Sequence, residues 1–182
     1  MLPGSLDELR TPRLALIPIT AACLHAEKLG GQIMGSLIGC ELPSNWPPLH
    51  WEPHVLNILL EQYERCPEQI NWHRYIALPD PDGTRTLIGT IGAFWRETSP
   101  TECEMGYSIL PPYERKGLAT EAAQALIELI RRDSRIRSIV AHTFPELIGS
   151  IRVMEKCGFV FEGNGEEERT IRYRLLLQPE IC

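Results

Sequence analysis

The chain has no excess of positive charge: 24 Asp and Glu outweigh 18 Lys and Arg over 182 residues, a formal net charge of -6. Without a basic stripe there is nothing to release counterions from phosphates, so nucleic acid is not an expected partner. The same balance suits a cationic partner such as an amine. No apolar run reaches bilayer-spanning length, so no membrane partner is expected either. The opening MLPGSLDELRTPR lacks a basic region followed by an apolar one, the pattern of a signal peptide, and the expectation is a cytoplasmic location. Cys23, Cys40, Cys66, Cys103, Cys157 and Cys182 form no CxxC pair and no Cys/His cluster at zinc spacing. Free thiols are the simplest reading, with disulfides as the alternative. G-x-G-x-x-G, the P-loop and HExxH are all missing, as are repeats and low-complexity tracts. What remains is an ordinary globular balance, 43% hydrophobic and 23% charged, long enough for one domain over residues 1–182.

Periodicity supplies the elements. Arg13–Ile19 alternates after a Thr-Pro turn and predicts a first strand. Thr20 caps a helix to about Leu29, and residues 31–50 read as irregular, ending in the proline-rich stretch Pro43–Pro48. A helix over 52–65 carries Val55, Leu56, Leu59, Leu60 and Tyr63 at helical spacing. Strands follow at 72–78 and 85–95, joined by the turn Pro79–Thr84, and a third at 102–110. On that third strand Cys103, Met105, Tyr107 and Ile109 share one face, and Glu104, Gly106 and Ser108 the other. The most regular helix spans 117–132. A strand at 138–144, a helix at 150–156 ended by Gly158, and strands at 159–161 and 169–177 complete the chain, with the acidic run 164–168 as a solvated loop. Antiparallel runs mixed with a strand–helix–strand crossover imply an α/β (α+β) fold with a mixed, mostly antiparallel sheet and helices on both faces.

One turn carries chemistry. Pro111–Thr120 joins the third strand to the strongest helix, whose first amides have no intrahelical partner and lie at the positive end of its dipole. Gly117 permits close approach of an anion, and Arg115 and Lys116 add positive charge, a pattern that fits pyrophosphate. Taken alone, the same pattern also describes an ordinary helix cap.

The series Glu104-Met-Gly-Tyr-Ser-Ile-Leu-Pro-Pro-Tyr-Glu-Arg-Lys-Gly-Leu-Ala-Thr-Glu-Ala122 resembles the central motif of the GNAT superfamily, the Gcn-type N-acetyltransferases. Further on, Ser150-Ile-Arg-Val-Met-Glu-Lys-Cys-Gly-Phe159 with Glu162-Gly163 resembles its second motif. Leu9-Arg-Thr-Pro-Arg-Leu14 resembles the opening of the Rim-type branch, the ribosomal-protein alanine acetyltransferases, and Leu87-Ile-Gly-Thr-Ile-Gly92 fits its middle strand. The sequence departs from the family pattern at Glu114, where Gln or Arg is usual, at Arg115, which replaces a frequent Gly, and at Leu147, which replaces Asn.

The resemblance implies a single-domain GNAT-like fold with splayed central strands, acetyl-CoA as co-substrate and no metal. The acceptor it implies is a primary amine on a small molecule or a peptide N-terminus, with a second copy of the chain as a further partner. The pantetheine arm would pair with Ile109 and Leu110, and the pyrophosphate would sit on the amides of Arg115, Lys116, Gly117, Leu118, Ala119 and Thr120. Ser150 would supply a hydroxyl contact; its position equally fits a helix N-cap. Glu104 is the candidate catalytic residue, either as general base or as a carboxylate that orients the ammonium. Met154 stands where many relatives carry the tyrosine that protonates the leaving thiolate, so that proton comes from water, from Ser150 or from no donor. A catalytically idle acyl-CoA-binding module and an interaction protein are the rival readings. His142 lies on the splayed strand and could face the cofactor, and the other histidines read as surface or interface residues. Cys103 and Cys157 read as core thiols. Trp46 is either an acceptor-cleft wall or a core plug.

Overall fold

The computed structural model describes residues 7–65, 72–96 and 99–177. Eight strands form one sheet in the order β1-β2-β3-β4-β5-β6-β8-β7. β1 (Leu9–Arg10) and β2 (Ala15–Pro18) form a hairpin around the Thr-Pro turn, which places the amino-terminal segment on the sheet edge. β3 (Arg74–Pro79), β4 (Arg85–Trp95) and β5 (Glu102–Ile109) continue as an antiparallel meander. β6 (Ser138–Thr143) is parallel to β5, and β8 (Ile171–Leu176) and β7 (Val160–Asn164) close the far edge.

Helices cover both faces. α1 (Ala21–Leu29), α2 (Gly31–Ile38) and α3 (Pro53–Arg65) pack over β2, β3 and β4 around Leu24, Leu59, Tyr75 and Leu87. α4 (Leu118–Arg131) and α5 (Ile148–Lys156) pack on the opposite face, where Leu126 and Ile130 of α4 and Met154 of α5 share a core with Cys103 and Met105 of β5. The alternation along β5 therefore sends Cys103 and Met105 to the α4 side and leaves Glu104 on the α1–α3 side.

Residues 31–38 correct the expectation of an irregular segment. Two glycines argue against a helix there, yet both are needed: a Cβ on Gly35 would meet Leu42 at 2.5 Å and the Cys40 carbonyl at 2.7 Å. The helix forms because the chain folds tightly back on it, a long-range cause that local propensity does not contain. α5 supplies a second correction. It begins at Ile148 with Leu147 as its N-cap, so Ser150 lies inside the helix and is not its cap.

The sheet is discontinuous at its centre. β5 and β6 pair only between Glu102–Glu104 and Ser138–Val140; beyond those three residue pairs the strands part. The edge of β5 from Met105 onward is open on that side.

Candidate active site

The start of α4 is built from backbone. Gly117 is left-handed (φ 77°), and so is Arg115 (φ 61°), a conformation that turns successive N–H groups outward. Among the described residues, no hydrogen bond from the amides of Arg115 through Thr120 is satisfied within the protein, and the first helical bond runs from the Glu121 amide to the Gly117 carbonyl at 3.1 Å. Six consecutive free donors at the positive end of a 14-residue helix suit a diphosphate. A Cβ at position 117 would come no closer than 3.5 Å to the protein, so glycine is required there by backbone conformation and not by crowding.

A brace invisible in the sequence holds this turn. Arg13, just before β2, donates through Nε to Glu121 Oε2 (2.7 Å) and through Nη1 to the Lys116 carbonyl (2.9 Å). The Thr11 hydroxyl donates to Glu121 Oε1 (2.6 Å). Burial pushes the Glu121 carboxyl up, but the hydrogen bonds from Thr11 and Arg13 outweigh it and hold the group below its ordinary value. Lys116 turns its ammonium over the Tyr113 ring, 5.4 Å from the centroid.

The two strand residues expected to present an open edge differ. Leu110 N–H donates to Ile88 O (2.7 Å) and its carbonyl accepts from Tyr113 N–H (2.9 Å), so its donor faces β4 and not the gap. In an antiparallel ladder adjacent residues point to opposite edges, so the Ile109 N–H faces the gap toward β6.

Glu104 sits at the last paired position before the strands part. Its Oε1 is 2.8 Å from His142 Nδ1 on β6, and its Oε2 accepts from Arg96 Nη1 at 2.9 Å. The carboxylate remains 37% exposed while the Arg96 side chain is only 9% exposed. Behind it lies an ionic network. Arg172 and Arg174 of β8 both reach the buried Glu102 (3.0 and 2.8 Å) and Glu162 of β7 (3.0 and 2.7 Å). Arg96 and Arg172 both bond Glu166. The hydrogen bond from Arg96 holds the Glu166 carboxyl below its usual range, and that from Arg174 does the same for Glu162. Within the acidic run, then, Glu166 is tied to the network while Glu167 and Glu168 are exposed.

Tyr107 spans the gap on the α4 side: its hydroxyl donates to the Ser150 carbonyl (2.9 Å) and lies 3.2 Å from Ser150 Oγ. Burial pushes this phenol up to about 12. Met154 is a core residue. Burial raises the thiol of the core residue Cys103 to about 12 and that of the half-buried Cys157, packed against the core, to about 11. Cys66 and Cys182 lie outside the described residues. His25, His50 and His54 are exposed, whereas His73 is buried against Phe94 (ring centroids 4.8 Å apart), contrary to the surface reading. Gly92 makes that burial possible, since a Cβ there would meet the imidazole at 2.3 Å. Among the described residues no group of three His, Cys, Asp or Glu side chains could hold a metal ion, and no helix is long and apolar enough to cross a membrane.

An amide cradle at a helix start, a strand edge opened by splaying and a carboxylate at the vertex define a fold and cleft of the acyl-CoA-using acetyltransferase type. The pattern of the acetyltransferase (GNAT) domain matches residues 13–160, and the chain belongs to that family. It is 40% identical over 77 residues to the uncharacterized N-acetyltransferase YnaD of Bacillus subtilis, a match covering 42% of this chain and 45% of that protein. The matched region thus spans under half of that relative. The fold resembles the acetyltransferase from Agrobacterium tumefaciens, with TM-score 0.62 and 25% identity over 94% of this chain and 95% of the other. It also resembles spermidine N-acetyltransferase from Vibrio cholerae, solved with CoA and spermine, at TM-score 0.58 and 20% identity over 92% and 97% of the two chains.

Proposed function

We propose that the protein transfers an acetyl group from acetyl-CoA to a primary amine on a small molecule or a peptide N-terminus. The observation that carries this reading is the run of free amides from Arg115 to Thr120 on the same strand-to-helix connection that places Glu104 at the cleft vertex. The amides and the Arg115 charge hold the pyrophosphate, and the Ile109 N–H faces the thioester oxygen as negative charge develops there. Leu110 serves through its position in the strand end and not through a free backbone group. Ser150, tied to Tyr107, is the nearest hydroxyl of the second motif to the splayed edge.

Transfer forms a C–N bond and breaks the C–S bond. An alkylammonium must first lose a proton, and Glu104 accepts it directly or through water. Arg96 and His142 each occupy one position on this carboxylate, fixing its orientation while leaving part of it open to solvent. The thiolate departs with a proton from solvent or from Ser150.

Two measurements test the reading. Acetyl-CoA at one hundred times its dissociation constant should stabilise the fold by about 2.7 kcal/mol, seen as a raised melting temperature. An amine panel should then release free CoA thiol with matching N-acetylated product. No thermal shift at millimolar acetyl-CoA defeats the cofactor assignment; a shift without turnover of any amine leaves the idle binding module.

A further inference from the structure

Away from the cleft vertex, one carboxylate is engaged in an unusual way. Glu27 on α1 accepts hydrogen bonds from the indole N–H groups of Trp46 (2.9 Å) and Trp51 (3.0 Å) on Oε1, and from the Tyr75 hydroxyl (2.6 Å) on Oε2. The rings enclose it: Trp46 and Trp51 lie 6.0 and 6.2 Å from Tyr75, centroid to centroid. Tyr75 and Trp51 are buried, while Glu27 and Trp46 keep partial access to solvent. Burial and the charge of Glu27 push the Tyr75 phenol well above its ordinary value.

Among the described residues no salt bridge involves Glu27, and Lys28, next in sequence, bonds Asn57 instead (2.7 Å). Every carboxylate of the Glu102 network, by contrast, is matched by guanidinium or imidazole. A half-buried carboxylate held only by neutral donors retains its net charge and, with two donors on one oxygen and one on the other, an unfilled acceptor position on Oε2. A pin joining α1 to the Trp-bearing loop would need the hydrogen bonds but not the charge.

Register sets this group on the same face of the sheet as the candidate base. Tyr75 pairs with Thr90 and Thr90 with Ser108, so all three share the face that carries Glu104. Tyr75 stands about 10 Å from Ser108, two inter-strand spacings.

We propose that Glu27, framed by Trp46, Trp51 and Tyr75, binds the second ammonium of a diamine or longer polyamine whose other amine is acetylated. This rests on the acetyl-transfer reading above and narrows its acceptor. The free position on Oε2 takes one ammonium N–H, and the aromatic rings beside it pack the methylene chain. Trp46 thereby joins the acceptor cleft through the partner its indole holds.

The test compares 1,8-diaminooctane with octylamine, which share a chain length and differ only in the second amine. The wild type should prefer the diamine in kcat/KM by about tenfold, and Glu27→Gln should bring the ratio near one. If that variant fails to fold, Trp46→Leu keeps the carboxylate but removes the indole N–H that orients it, and should lower the ratio several-fold. A wild type without preference, or variants that keep it, overturns the proposal. Binding is read separately, without acetyl-CoA, from tryptophan fluorescence: 1,8-diaminooctane should perturb the wild type and Glu104→Gln but not Glu27→Gln. Fluorescence binding that depends on Glu27 supports the subsite even where no amine is acetylated, and that outcome rejects acetyl transfer alone. Acetylation that proceeds without diamine discrimination rejects the subsite alone.

Discussion

At the start of α4 the free groups are amides, fixed by two left-handed residues and braced by Arg13 and Glu121. At Glu104 they are charged side chains, fixed by one another across β4, β5, β6 and the β7–β8 turn. In the first region a backbone-built site should tolerate exchange of outward side chains such as Glu114, while Arg115 holds the left-handed conformation at a position where the family frequently has Gly. The second has no such slack, since each member of the network holds the next. Side-chain sites should therefore fail by loss of a residue's chemistry, and the backbone site by loss of a conformation.

The largest effect should come from Glu104→Gln, which keeps volume and an acceptor but cannot take a proton. kcat at neutral pH should fall about 10²–10⁴-fold with acetyl-CoA affinity nearly unchanged. The loss should shrink at higher pH, where solution supplies free amine; a rise in acceptor KM without such rescue would make Glu104 an orienting group instead. Glu102→Ala strikes the same network at its buried centre and leaves Arg96, Arg172 and Arg174 without their shared carboxylate. Urea unfolding should show a loss of about 3–5 kcal/mol.

Gly117→Val forces a β-branched residue into the left-handed region at a cost of about 1–3 kcal/mol, paid either in stability or in a distorted cradle. KM for acetyl-CoA should rise about tenfold or more, with kcat less affected. Lys116→Ala, at an exposed side chain, should change KM little. Equal, small effects of both would erase the contrast between the regions. The mildest test is pH. Because the Glu121 carboxyl lies lower folded than unfolded, its contribution is full above the ordinary glutamate range and drains away as pH falls through the folded value. Glu121→Gln should flatten that acid limb in urea midpoints measured from neutral pH downward.

The sequence carried the turn at the start of α4 well because a glycine at a strand-to-helix junction states its own conformation locally. It carried Glu104 as a residue on a face, since period-two alternation fixes a face without fixing neighbours. Arg96 follows a strand end with no motif around it, and Arg172 and Arg174 look like solvated alternation on a terminal strand. Only the order β5-β6-β8-β7 brings them to Glu102. His142 was visible as a residue of the splayed strand, but its bond to Glu104 depends on the three-pair register. α2 was missed for the opposite reason: Gly31 and Gly35 signal flexibility locally and close packing only in the folded chain.

That short seam between β5 and β6 has a mechanical consequence. The protein is a pair of plates, β1–β5 and β6–β8, stitched along three residue pairs and backed by the α4 crossover. An extended molecule entering the gap and bonding to the Ile109 edge would act as a missing strand, completing the seam that the chain leaves open. Occupancy and continuity of the sheet would then be one event, and amide exchange at Ser138–Val140, remote from the pyrophosphate cradle, should slow when the gap is filled.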